Sequence, residues 1–175
     1  HLDVLNDIQN GKWTPIELTL APTDKCNLKC SFCSVQNRHG DTLDFERLKK
    51  TLRAFKEIGL KSVVLSGGGD PTLYPLINEL IDYIKFLGMD IGLITNGIAL
   101  NRFVKIESLK KLTWIRISLN GYDYLSEIKV NLPEGLDVGL SYVYNEKTTV
   151  EILKKVSDFA DNHKVNFVRI VPNCL

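Results

Sequence analysis

The sequence predicts an α/β fold, a parallel sheet of about six strands whose neighbours are joined by helices. Three observations lead there. Short apolar runs alternate with segments whose apolar residues recur every three or four positions. Glycines stand where the first helical segments end, at Gly59 and Gly88. No proline-rich or low-complexity stretch breaks the alternation. Parallel neighbours need a long return connection, which the helices supply. Right-handed crossovers leave either a barrel or an open doubly wound sheet, and about six units are too few for a full eight-stranded barrel.

The elements follow in order. Residues 16–20 (IELTL) read as the first strand. Phe45, Leu48, Leu52, Phe55 and Ile58 then mark one face of a helix. Val63-Val64-Leu65 is a short buried strand. Leu76, Ile77, Leu80, Ile81, Ile84 and Leu87 make the next helical face, and residues 91–94 the third strand. Residues 103–112 form a weaker helix before the fourth strand, residues 114–119 (WIRISL). The fifth strand spans 136–144. A helix over 150–163 turns Ile152, Leu153, Val156, Phe159 and Ala160 inward, and residues 167–171 (FVRIV) close the series. Residues 121–135 are the irregular stretch: Tyr122 to Lys129 holds two turns at most before Pro133 and Gly135 stop it.

A chain of 175 residues, 44% hydrophobic and 25% charged, fits one soluble domain with a core of its own. A net charge of +1 gives no long-range pull toward nucleic acid or a membrane. No apolar run reaches the roughly 18 residues of a membrane span. No signal peptide is visible, and the chain begins at His1. Residues 1–14 are read as an N-terminal extension or tag remnant, and residues 15–175 as the core domain. Three of the four cysteines fall within eight positions, which suggests a metal site in a reducing compartment, with the cytoplasm as default.

In either sheet architecture ligands bind at the carboxyl ends of the strands. The loop after the first strand holds Cys26, Cys30 and Cys33, a C-x3-C-x2-C spacing. Three thiolates on one short loop suit an iron–sulfur cluster with one iron left open. The alternative is a zinc site, for which no fourth ligand is obvious nearby, although His39 follows Cys33 by six residues. After the second strand, Ser66-Gly67-Gly68-Gly69-Asp70-Pro71 is a flexible turn or a backbone cradle for a charged amino group. Thr95-Asn96-Gly97 ends the third strand. Ser118 and Asn120 share one face of the fourth strand, there to meet ribose hydroxyls or simply the neighbouring loop.

Taken together, these loops resemble the radical S-adenosylmethionine (radical SAM) superfamily. The resemblance runs from about Pro15 to the end of the chain. It implies a partial (β/α)6 TIM-like barrel of parallel strands. Cys26, Cys30 and Cys33 would bind a [4Fe-4S] cluster whose open iron is chelated by S-adenosylmethionine. Phe32 matches the aromatic position near the adenine, and Gly68-Gly69-Asp70-Pro71 looks like the family's Gly-Gly-Glu-Pro motif at the methionine amino group, with aspartate in place of glutamate. Thr95 and Asn96 lie in the segment after the third strand, Ser118 and Asn120 on the ribose positions, and Ile170-Val171-Pro172 on the adenine-packing segment. The implied chemistry is one-electron cleavage of S-adenosylmethionine to methionine and a 5′-deoxyadenosyl radical, which abstracts hydrogen from a substrate. An electron donor such as a flavodoxin or ferredoxin is implied, as is a C-terminal continuation. Substrate expectations are a peptide, a tRNA base or another small molecule; the near-neutral charge disfavours RNA. The rivals are a non-catalytic zinc module and a scaffold that binds the cofactor without cleaving it.

Other residues have plainer readings. Cys174 is read as an ordinary thiol in preference to a ligand of an auxiliary cluster, and His39 and His163 as surface residues. Trp114 is expected in the core or against a helix. Arg116 and Arg169 lie within apolar strands and need a partner, either an acid such as Glu17 or an anionic substrate group. The short stretch over 121–135 is expected to leave the barrel side open.

Overall fold

The computed structural model describes residues 2–173, so Cys174 lies outside the described residues. Six strands, β1 (Glu17–Leu20), β2 (Ser62–Leu65), β3 (Asp90–Thr95), β4 (Trp114–Ser118), β5 (Asp137–Tyr144) and β6 (Phe167–Pro172), form one sheet. Every pairing is parallel and the spatial order equals the chain order. A doubly wound sheet reverses its strand order at a switch point. This one never does, so the sheet is the open, partial barrel.

The helices are α1 (Leu2–Gln9), α2 (Phe45–Glu57), α3 (Ile77–Phe86), α4 (Leu100–Phe103), α5 (Ile106–Leu109) and α6 (Val150–His163). Asp44 caps α2, its carboxylate accepting from the Arg47 N–H at 2.8 Å. Gly59 follows that helix at φ +102°, a left-handed conformation that a side chain resists. Thr149 caps α6 in the same way as Asp44. The helix expected over 103–112 is broken into α4 and α5, because Val104 and Lys105 are extended. Helix α1 lies in the segment read as an extension, and its Val4 is buried.

Alternation divides each strand between two faces. Val63, Leu65, Ile91, Leu93, Ile115, Ile117, Val138 and Leu140 join Leu52, Ile77, Leu80, Ile81 and Ile84 in the core beneath the helices. Fully burying such a side chain stabilises by roughly 1.5–3 kcal/mol. The other face is concave and more polar. Trp114 belongs to this second face, not to the helix side: its ring lies where a Gly92 side chain would be. Phe167 covers Gly139 likewise. Between β4 and β5 no α-helix forms. A 3-10 turn over Leu119–Asp123 leads into irregular chain whose Ile128 is buried against Gly121 and Gly97. The outer side of β4 is therefore covered by a loop rather than left bare. No helix of the described residues is long and apolar enough to cross a membrane.

Candidate functional site

At the carboxyl ends of β1 to β4 the loops enclose a cavity of about 290 Å³. Cys26, Cys30, Phe32 and Cys33 line one wall. Gly68, Gly69 and Asp70 line the second, and Thr95, Asn96, Ser118 and Asn120 the third. A larger cleft of about 820 Å³ lies at the opposite end of the strands, near Val138 and Asn166, and holds no thiol.

The glycine loop owes its shape to contact with the cysteine loop. Ser66, Gly69 and Asp70 donate backbone N–H groups to the carbonyls of Leu20, Thr23 and Lys25 at 2.9, 3.2 and 2.7 Å. A β-carbon on Gly69 would fall inside the Lys25 carbonyl, so only glycine allows this approach. Gly97 holds φ +77° with Ile117 pressed against it.

Asp70 is 3% exposed and its carboxylate is filled by the protein itself. It accepts from the Thr72 N–H (3.0 Å) and hydroxyl (2.6 Å), from the Thr95 hydroxyl (2.9 Å) and from the Asn96 N–H (2.7 Å). The shorter acid thus ties β2 to β3 and caps the 3-10 turn Pro71–Leu73. Pro71 serves as the first residue of that turn and stands outside the cavity wall. Asn96 passes the linkage on: its amide donates to Asn27 Oδ1 at 2.6 Å and lies 3.9 Å from the Cys26 Sγ.

Asn120 is similarly occupied. Its amide donates to the Val143 carbonyl (2.9 Å) and Asp123 (3.0 Å), while its oxygen accepts from the Val143 N–H (2.8 Å). Only its remaining lone pair is open to a ribose, whereas Ser118 makes no side-chain hydrogen bond that closes it to one. Of the sixth-strand segment, Val171 shares the concave face by register. Ile170 and Pro172 alternate outward, and none of the three lines the cavity.

Arg38 was not legible as a site residue, yet it joins both loops. Its Nε donates to the Gly68 carbonyl (2.8 Å), Nη1 to the Leu28 carbonyl (3.1 Å) and Nη2 to the Cys33 Sγ (2.8 Å). The only signal in the sequence is a basic residue five positions after the last clustered cysteine. Ser31 to Glu146 (2.7 Å) and the Tyr124 hydroxyl to the Lys29 carbonyl (3.1 Å) pin the cysteine loop from the far side.

Burial pushes the Cys26 thiol up, and pushes Cys30 up to about 11, helped by the neighbouring Cys26 and Cys33. Without metal these thiols keep their protons, and bound iron would displace them. Among the described residues no three His, Cys, Asp or Glu gather tightly enough for one metal ion. A cluster gives each thiolate its own iron and accepts donors spread around a loop. Zinc needs four ligands on one ion. His39, six residues after Cys33, is exposed and is held through its backbone N–H to Asp24 (2.8 Å). The all-sulfur donor set and the glycine wall therefore fit a cluster with a small chelating ligand.

The Radical SAM superfamily model matches residues 20–168. A probable GTP 3′,8-cyclase of Methanococcus maripaludis is 30% identical over 70% of this chain and 46% of its own length. The chain thus spans about half of that curated relative. Two solved structures of Streptococcus suis SuiB share the fold, each with a TM-score of 0.67. The one bound to precursor peptide SuiA is 22% identical, covering 97% of this chain and 42% of SuiB; the one bound to S-adenosylmethionine is 20% identical, covering 98% and 44%. The match over most of the chain replaces the zinc-module reading: the chain belongs to the radical SAM superfamily, whose members use a [4Fe-4S] cluster and S-adenosylmethionine.

Proposed function

We propose that this protein is a radical SAM enzyme in which Cys26, Cys30 and Cys33 hold the [4Fe-4S] cluster and the glycine wall receives S-adenosylmethionine. The carrying observation is that all three cysteines and Gly68, Gly69 and Ser118 open on one cavity. When bound, the reduced cluster supplies the electron that cleaves the sulfonium, yielding methionine and a 5′-deoxyadenosyl radical that takes hydrogen from the substrate. The chain's own part is to orient and to exclude water.

In this reading Gly68 and Gly69 bring bare backbone to the methionine end of the ligand, with Phe32 at the adenine and Ser118 at the ribose. Thr95, Asn96 and Asn120 shape the wall more than they touch the ligand, since their polar atoms are engaged with Asp70, Asn27 and Val143. Asp70 acts through them as a positioning residue. A reductant is needed, for which a flavodoxin or ferredoxin in the cytoplasm is our proposal. The substrate is proposed to be a peptide or a small molecule, with its remaining contacts in a longer protein.

Anaerobic reconstitution with iron and sulfide tests this. A brown protein that forms 5′-deoxyadenosine from S-adenosylmethionine after dithionite reduction, and a colourless Cys30→Ala variant, are the expected results. Colourless wild-type protein holding one zinc would overturn the assignment. A brown protein that binds S-adenosylmethionine without cleaving it would leave a non-catalytic scaffold.

A further inference from the structure

Two arginines face the concave side of the sheet and pair with no acid among the described residues. By register Arg116 on β4 stands beside Gly139 on β5, and Ser118 beside Ser141, which stands beside Arg169 on β6. Arg116, Ser118, Gly139, Ser141 and Arg169 therefore share one face, opposite the core residues Ile115, Ile117 and Leu140. β4 and β6 are two strand spacings apart, on the order of 10 Å, a span that two long side chains can close between them. The strand between presents Gly139, covered by the Phe167 ring, and Ser141, so the path between the two guanidiniums runs over the small Ser141 side chain.

Neither arginine forms an ion pair among the described residues. The salt bridges of those residues are all made by lysines, and Glu17, the acid the sequence offered as a partner, is not among their carboxylates. The nearest acid by register, Asp137 at the start of β5, pairs with neither. The Arg116 Nε is buried and without a hydrogen-bond partner. Burial first, and then the charge of Arg169, pull its guanidinium below the ordinary arginine value, yet it stays charged. Like charges held together with a donor unsatisfied form an arrangement that an anion would relieve.

The position is informative too. Arg116 lies two residues below Ser118 on the same face, in register with Ile94, and both Ser118 and Ile94 line the cofactor cavity. A group bound to the arginines would lie next to that cavity, on its β6 side.

We propose that Arg116 and Arg169 together bind a phosphate group of the substrate, so that the protein acts on a phosphorylated small molecule. This rests on the radical SAM reading and deepens it. Two unopposed guanidiniums call for close to two negative charges on one compact centre. A phosphate monoester carries them at neutral pH, and a single carboxylate carries one. Planar guanidiniums also match phosphate oxygens in pairs.

The test is equilibrium binding to the full chain, with inorganic pyrophosphate as the probe and glutarate as a carboxylate control. Side-chain nitrogen resonances of the arginines report where each binds. Pyrophosphate should bind and shift Arg116 and Arg169. Its affinity should drop at least tenfold in Arg116→Gln and, separately, in the more exposed Arg169→Gln, and should weaken with added salt. No pyrophosphate binding by wild type, or unchanged binding in the folded Arg169→Gln variant, overturns the site. Glutarate binding as tightly as pyrophosphate overturns the phosphate assignment. Cluster absorbance and 5′-deoxyadenosine formation, read separately on the same preparations, show whether the radical reading stands whatever the anion result.

Discussion

Asp70, in the loop after β2, and Arg116, midway along β4, both carry their charge into the interior around the sheet, and their surroundings differ completely. Asp70 receives bonds from Thr72, Thr95 and Asn96, all supplied by the chain itself. Arg116 has a buried Nε that nothing meets and a second arginine nearby. A filled buried charge holds a structure together, because removing it strands every donor around it. An unfilled one contributes nothing to the fold and is free to recognise something else. On the proposed reading, the difference separates scaffold from recognition around one cavity.

The comparison breaks first at Asp70. Asp70→Ala strands the Asn96 and Thr72 N–H groups and the Thr95 hydroxyl. It should destabilise the cluster-free chain by about 3–5 kcal/mol in urea unfolding. A loss under about 1 kcal/mol would mean that Asp70 ties nothing.

Arg38 lies between the two cases, since it is bonded three times but to loops rather than to strands. Arg38→Gln should lower stability by about 1–2 kcal/mol. In reconstituted protein it should also make the cluster harder to reduce, because a cationic donor to a ligand sulfur favours the more negative, reduced state. Arg38→Lys should restore part of the potential but not the loop contact, as one ammonium cannot replace a planar fork. A potentiometric titration that finds all three proteins alike would show that Arg38 has no influence on the sulfur.

The smallest effect sharpens the comparison most. Arg116→Met should leave stability within about 1 kcal/mol of wild type, or raise it, since a half-buried charge without a partner is replaced by an apolar chain of similar reach. A loss above about 2 kcal/mol would reveal an internal partner and sink its role in recognition.

Much of this was legible in the sequence. Strand and helix periods placed all six strands to within about a residue, because each carries an apolar face that must be buried. The cysteine spacing and the glycine run marked the cavity for the same reason: neither pattern has much use in an ordinary core. What was not legible has a common cause. Trp114 is expected in the core or against a helix, and only register with Gly92 shows the room it occupies on the concave side. Asn120 carried two readings, a ribose contact or the neighbouring loop, and its engagement with Val143 follows from the turn after β4, which periodicity does not encode. Arg38 makes contacts up to 30 positions away in sequence, which no local pattern announces.

The strict chain order of the strands also governs how the protein is made. Each strand pairs with one that left the ribosome before it, so the sheet can grow by addition at a single edge, without waiting for a distant segment. The backbone bonds between the cysteine and glycine loops can form while β5 and β6 are still being synthesised, and the Ser31–Glu146 contact follows once the chain beyond β5 is made. The arginine pair is finished last, with the closing strand. On the proposed assignments, the cysteine loop is then in place on a nascent chain that does not yet carry the proposed anion site.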